Sequence, residues 1–392
     1  MTSEWNHFAL GEITELVIDY RGKTPKKLGG DWCKQGYRAL SAKNIKTGRI
    51  VQAETIRYID ESLYRKWMKD EVQRGDILIT SEAPFGQIFF WDSDEKIVLS
   101  QRLFCVRIKP EYDARFIYYY MTTPEFQSEL DGRATGTTVI GLRQPELMKC
   151  IIRCPEIQEQ KVIAAILSSI DAKIIANEKV NDNLQQQVAA LFANFYDRAE
   201  TEVGFTEIIQ ILGGGTPKTG ESSYWNGNVP FFTPKDVGSP YTLATEKTIT
   251  EKGLVHCNSR LYPVNTVFVT ARGTVGKVGL PGIPMAMNQS CYALVGKDTH
   301  QLLVYFYTLK AVDRLKHKAS GAVFDAITTR DFESEIIMKL SDDDEKAFLD
   351  VAQPIYQAVL SNSIENLRLA ALRDSLLPKL MSGEIDVSGV QL

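Results

Sequence analysis

Four histidines (His7, His256, His300, His317) are the first candidates for chemistry, and none stands at the spacing of metal ligands. Cys150 and Cys154 are separated by three residues and lack a second close pair, so a zinc tetrahedron is not expected. The tract Gly213-Gly214-Gly215-Thr216-Pro217-Lys218 invites comparison with a phosphate-cradling loop. It lacks the Gly-Lys-Ser/Thr ending that would place an ammonium and a hydroxyl on phosphate and magnesium, so it reads as a turn entering a domain. No dinucleotide fingerprint opens a βαβ unit, and no Asn/Asp-Pro-Pro-aromatic tetrapeptide of the amino-methyltransferases occurs. What the side chains do suit is the recognition of charge. From Asp19 to Arg49 nine basic residues (Arg21, Lys23, Lys26, Lys27, Lys34, Arg38, Lys43, Lys46, Arg49) stand against Asp19 and Asp31, a local +7 able to neutralise several phosphates.

The elements that must position such groups fit a chain of 392 residues, long enough for two to four domains. Hydrophobic residues make up 44% and charged residues 24%, which excludes a disordered or low-complexity chain. No apolar run reaches membrane-spanning length, the N-terminus does not read as a secretory signal, and the six scattered cysteines do not read as a disulfide framework. A cytoplasmic location with reduced thiols is the expectation. The net charge of −4 is unevenly spread: residues 1–155 carry +2, 156–198 carry −2, 199–340 carry +1 and 341–392 carry −5.

The chain is written twice. LVIDYRGKT (16–24) lies over IIQILGGGT (208–216), LSAKNI (40–45) over FTPKDV (232–237), and DILIT (76–80) over TVFVT (266–270). Gly86 matches Gly276, Gln101 matches Gln289, FIYYY (116–120) matches LVYFY (303–307), and ATG (134–136) matches ASG (319–321). The offset shrinks from 192 to 185, as expected if loops were shortened in the second copy. Each copy begins with a mixed, β-rich segment, with a short helix expected at 113–130 and its counterpart at 300–317, and ends in one long helix. The expected boundaries are 1–155 and 199–341 for the β-rich domains, 156–198 and 342–392 for the helices.

The helical segments carry a seven-residue apolar repeat. Ile163, Ile170, Asn177, Leu184 and Leu191 form one series; Leu167, Ile174, Asn181, Val188 and Phe195 form the second. In the other copy these become Phe348, Ile355, Asn362, Leu369 and Leu376, with Ala352, Val359, Asn366, Arg373 and Leu380. Both seams are broken at the same place by two asparagines, which in a buried seam cost stability but fix register. The spacing predicts that the two helices pair, with Asn177 and Asn181 meeting Asn362 and Asn366. The alternative is that each helix merely covers its own domain. At ~1.5 Å per residue each is on the order of 55–60 Å long, so an antiparallel pair would span one to two turns of B-DNA at ~34 Å per turn.

The alternation of two such domains with two helices, the entries Gly22-Lys23-Thr24-Pro25 and Gly214-Gly215-Thr216-Pro217, and the C-terminal string Leu376-Leu377-Pro378-Lys379-Leu380-Met381-Ser382-Gly383-Glu384-Ile385 resemble the specificity (S) subunit of type I restriction–modification systems over essentially the full length. The resemblance implies an α+β chain of two target-recognition domains separated by two long antiparallel coiled-coil helices, with an internal pseudo-two-fold repeat. It implies a non-catalytic subunit whose domains each read half of a bipartite double-stranded DNA target, while the helices set the spacer. The implied partners are two methyltransferase (M) subunits and, in the full complex, restriction/translocase (R) subunits. S-adenosylmethionine, ATP and Mg are then expected only on those partners.

On that reading the phosphate-contact candidates are Lys23, Lys26, Lys27, Lys43 and Arg133 in the first domain, and Lys218, Lys235, Arg272, Lys277, Lys316 and Lys318 in the second. Lys43 and Lys235 share a repeat position. Base readers need amide or guanidinium groups, which nominates Asn44, Gln87, Arg102 and Arg272. Gln101 and Gln289 qualify by type, but a residue shared by both copies is expected to serve the fold. The small-residue loops Gly132–Thr138 and Lys318–Phe324 are expected to approach DNA closely. Two other readings compete: a stand-alone methyltransferase or nuclease, separable by S-adenosylmethionine binding to the isolated chain, and a scaffold that grips proteins instead of DNA, separable by salt-dependent mobility shifts with duplex DNA.

Overall fold

The structure is a computed structural model and describes residues 5–136, 140–238, 240–318 and 326–390. The chain forms two compact units, Met1–Ala172 with Ala370–Leu392, and Lys173–Leu369. Each unit therefore takes part of both long helices, Ile157–Tyr196 and Asp342–Met381.

In the first unit an antiparallel four-stranded sheet runs in the order Thr14–Asp19, Leu103–Ile108, Ile77–Thr80, Ile88–Phe90. All four residues of Ile77–Thr80 are buried because both faces are covered. Ile77 and Ile79 face a core shared with the helices, whereas Leu78 on the opposite face joins Ile18, Leu103 and Cys105 in a second core. That second core lies under a three-stranded sheet (Arg57–Ile59, Tyr37–Leu40, Val98–Leu99) and the helix Glu61–Trp67. A two-stranded ribbon, Asn6–Ala9 with Ile151–Cys154, pairs the chain's entry to the domain with its exit.

The second unit repeats this plan. Ile209–Gly213, Cys291–Gly296, Val267–Thr270 and Val278–Pro281 stand in the same order, extended by a parallel strand, Tyr241–Thr242. Val267 and Val269 face the helical core and Phe268 the other, as Ile77, Ile79 and Leu78 do. The small sheet (Lys247–Ile249, Trp225–Phe232, Ala286–Met287) and the ribbon (Thr201–Gly204, Ile336–Lys339) recur as well.

The copies differ at the helix expected over 113–130. It is two helices, Ala114–Met121 and Pro124–Arg133, whereas Gln301–Lys318 is continuous. Pro124 cannot continue a preceding helix, and Thr123 caps the new one by accepting from the Phe126 N–H at 3.4 Å. Ala311 stands at the matching position of the second copy and leaves that helix intact.

In the first unit Ile163 and Leu167, near the start of the first long helix, share a core with Leu380 and Met381, at the end of the second. Arg373 occupies a seam position there and reaches Asp171 at 2.8 Å, a carboxylate that also accepts from the Tyr119 hydroxyl at 2.6 Å. In the second unit the remaining stretches pair in the same antiparallel sense. Asn177 Nδ2 donates to Asn366 Oδ1 at 2.8 Å, and Asn362 Nδ2 donates to Asn181 Oδ1 at 2.9 Å. Asn181 Nδ2 donates to the Val359 carbonyl at 3.2 Å, and Asn366 Nδ2 to the Ile174 carbonyl at 3.3 Å. Shifting each contact by the repeat offset of 185 turns the first of each pair into the second, so this layer has local two-fold symmetry. The helices thus pair with each other, and they also complete the domain cores: Phe192, Tyr196, Phe348 and Tyr356 lie in the core of the second domain.

Candidate nucleic-acid interface

Each domain carries the same backbone node where its strand Ile77–Thr80 or Val267–Thr270 ends. The Thr80 carbonyl accepts from the Gly86 N–H at 3.1 Å, and its hydroxyl accepts from the Gln87 N–H at 2.8 Å. Thr270 holds Gly276 at 2.8 Å and the Lys277 N–H at 2.9 Å in the same two ways. The turns favour glycine: Gly86 and Gly276 have φ of 70° and 73°, the left-handed region. Ser81 N–H donates to the Arg102 carbonyl at 2.9 Å, and Ala271 N–H to the Ser290 carbonyl at 2.8 Å. The Ser81 carbonyl accepts from Leu142 N–H at 3.0 Å, and the Ala271 carbonyl from Ile327 N–H at 2.9 Å. Isolated bridges Glu82–Gly141 and Arg272–Ala326 complete the match. Shared hydrogen bonds therefore present different side chains, Glu82 with Arg102 in one copy and Arg272 with Ser290 in the other.

In the second domain this node lies in a continuous run of contacts. The Thr216 hydroxyl donates to Gln289 Oε1, Arg272 and Ala271 hang from the Ser290 carbonyl, and the Thr274 hydroxyl donates to the Pro234 carbonyl at 3.1 Å. Lys218, Lys235, Arg272, Lys277 and Lys316 all reach solvent along or beside that run. Lys235 lies 3.8 Å from Glu246; Lys218, Arg272, Lys277 and Lys316 have no carboxylate partner among the described residues. In the first domain, the node borders a concavity of about 470 Å³ lined by Arg21, Glu82, Gln101, Arg102, Thr135 and Arg143 among others. Ala42 N–H donates to the Gln101 carbonyl at 3.1 Å, which sets exposed Lys43 beside it.

Several nominated residues are committed elsewhere. Asn44 is 1% exposed; its Oδ1 accepts from Ser41 N–H and hydroxyl, and its Nδ2 reaches Thr55 Oγ1 at 3.0 Å. It cannot present an amide to a base, and Thr233 and Asp236 build the same turn in the other copy. Gln87 Oε1 is held by the Thr47 N–H and hydroxyl. Lys23 donates to the Trp67 carbonyl at 2.5 Å over the Tyr20 ring, and burial, helped by Lys69, holds its pKa below the usual lysine value. Lys27 reaches back to the Gly22 carbonyl at 2.9 Å. Arg133 pairs with Glu129 at 3.0 Å, and Lys318 pairs with the buried Glu335 carboxylate. The +7 cluster is partly offset as well, since Arg21 chelates Asp19 and Arg38 pairs with Glu95 at 2.6 Å. Lys26 and Lys43 remain exposed without a partner among the described residues. Gln289 and Gln101 are both exposed: Gln289 accepts from the Thr216 hydroxyl, and Gln101 lines the concavity. Residues 137–138 and 319–324 of the two small-residue loops lie outside the described residues.

Arg21 and Arg143 line the concavity without having been nominated. Arg21 stands directly before Gly22-Lys23-Thr24-Pro25, a signal that charge counting alone does not isolate. Among the described residues no cluster of three His, Cys, Asp or Glu is placed to hold a metal ion, and no helix is long and apolar enough to cross a membrane.

The family model for the type I restriction modification DNA specificity domain matches the chain twice, over residues 2–186 and 201–345. The type I restriction enzyme MjaIX specificity subunit of Methanocaldococcus jannaschii is 32% identical over 124 residues, a match covering 30% of this chain and only 29% of that one. The type I restriction enzyme HindI specificity subunit of Haemophilus influenzae is 22% identical over 405 residues, covering 81% of this chain and 88% of that one. A solved S subunit of a type I restriction–modification system from M. genitalium shares the fold with a TM-score of 0.59 at 16% identity, covering 96% of both chains.

Proposed function

The chain belongs to the type I restriction–modification DNA specificity family as a specificity subunit, and from that premise we propose that each of its two domains reads one half of a bipartite duplex target while the paired helices fix the unread spacer. The observation that carries this reading is the duplicated node: one set of backbone hydrogen bonds, occurring twice, with different side chains on each copy, of which Arg102 and Arg272 are exposed. A shared scaffold with divergent tips suits two half-sites of different sequence, each mismatch costing about 1–3 kcal/mol. The long helices, acidic in both copies, are poor partners for phosphate, and methyltransferase subunits dock there, one per repeat. Restriction/translocase subunits join the full complex. S-adenosylmethionine, ATP and Mg belong to those partners, and the chain works in the cytoplasm.

Lys26, Lys43, Lys218, Lys235, Arg272, Lys277 and Lys316 are the cations this reading places on DNA. Titrating the complex with its methyltransferase partner against duplex DNA at rising salt is expected to show a steep linear fall of log affinity with log salt. Lys277→Ala should weaken binding to all sequences alike and reduce the slope by about 1. Salt-independent affinity would favour the protein-gripping scaffold instead.

A further inference from the structure

The concavity of the first domain holds three arginines whose guanidinium groups are committed to different degrees. Arg21 is spent: Nε and NH2 donate to the two oxygens of Asp19, each at 2.8 Å, NH1 reaches the Leu142 carbonyl at 3.3 Å, and the plane lies 4.1 Å from the Phe104 ring centroid. Arg102 is exposed and ion-paired, with its Nε 2.8 Å from Glu82 Oε1, but it makes no side-chain hydrogen bond among the described residues. Its NH1 and NH2 have no partner among the described residues. That ion pair draws the Nε side of the guanidinium toward Glu82 and leaves the outer NH1–NH2 edge without a hydrogen-bond partner among the described residues, and this is the edge that donates two parallel hydrogen bonds to O6 and N7 of guanine. Arg143 is exposed, and its side chain makes no hydrogen bond or ion pair among the described residues.

Two further observations single out Arg102. Its φ is 64°, a left-handed conformation that costs a branched-out side chain more than it costs glycine or asparagine, and Ser290 at the matching node is not so held. Glu82 places an acid beside a surface that should attract phosphate, which is unfavourable unless the acid serves to aim its neighbour. The second domain has Arg272 in place of Glu82 and Ser290 in place of Arg102, so the shared fold needs neither member of the pair.

We infer that the half-site read by the first domain contains a guanine contacted through the NH1–NH2 edge of Arg102, with Glu82 as the positioning residue that aims it. This deepens the proposed two-half reading and rests on it.

The test uses the full chain assembled with its methyltransferase partner, acting on a plasmid library that carries every single-base variant of the methylated motif. Arg102→Ala should relax discrimination at one G·C pair of one half by about tenfold or more while the other half keeps full stringency, an internal control for folding. Arg102→Lys should behave like Arg102→Ala, because it keeps the charge and loses the fork. Glu82→Gln should relax the same pair to a smaller degree. Restored stringency in Arg102→Lys, with Arg102→Ala slowing methylation of all variants alike, would make this a phosphate contact and overturn the inference, as would an unchanged motif in Arg102→Ala. A wild-type complex that marks no split motif would contradict the two-half reading itself, and this inference with it.

Discussion

Replacing Asn177 and Asn181 together by alanine is expected to destabilise the second unit by about 2–6 kcal/mol, from two stranded amides at about 1–3 kcal/mol each. Asn177 and Asn181 are buried, at 5% and 7% exposure, while the Asn362 and Asn366 amides they leave behind are half-buried, which places the loss toward the lower end of that range. Without them Asn366 Oδ1 loses its donor and Asn362 Nδ2 loses its acceptor. The local two-fold relation makes the converse test available: Asn362→Ala with Asn366→Ala strands the more deeply buried Asn177 and Asn181 and should cost at least as much. Leucine at all four positions should restore stability, since an apolar layer leaves no unmet polar group, but it also removes what fixes the register of the helices. Thermal unfolding of the two alanine pairs and of the variant with alanine at all four positions closes a double-mutant cycle. Losses that simply add would mean the two pairs do not meet in solution.

Phe192→Ala should cost about 3–5 kcal/mol, the range for emptying a buried aromatic site. The ring stacks on Phe306 at 5.0 Å between centroids and stands edge-on to Phe348 at 5.4 Å and Tyr307 at 5.6 Å. It therefore joins the first long helix to the second domain's own helix Gln301–Lys318 and to the start of the second long helix. Denaturant unfolding should show the loss, with amide protection falling across Gln301–Lys318. A change under about 1 kcal/mol would show that the ring is not packed as described.

Phe192 also marks where the sequence stops being legible. The seven-residue series finds the asparagine layer because it counts contacts with one partner helix. Phe192 and Tyr356 lie one position beyond Leu191 and Ile355 and belong to neither series. They are buried because each helix faces a domain as well as its partner, which widens the apolar arc beyond the seam. Arg373 shows the opposite case, a charge at a seam position made tolerable by Asp171, which lies 202 residues away in the chain.

At the interface, the repeat was legible and the commitment of single side chains was not. Asn44 could have been recognised: Ser41 and Asn44, three apart, lie over Thr233 and Asp236, a turn signature in both copies. Lys23 could not, because its acceptor is the Trp67 carbonyl, 44 residues on. Which arginine keeps a free edge depends in the same way on carboxylates that folding delivers: Asp19 to Arg21, and Glu82 to Arg102.

The most direct test of two independent reading heads is to exchange residues 1–155 for the corresponding segment of a relative with a different target, assemble the chimera with the methyltransferase partner, and map every methylated adenine. One half of the split motif should change to the donor's, and the other half and the spacer should stay as they were. A motif altered in both halves, or in neither, would contradict the account.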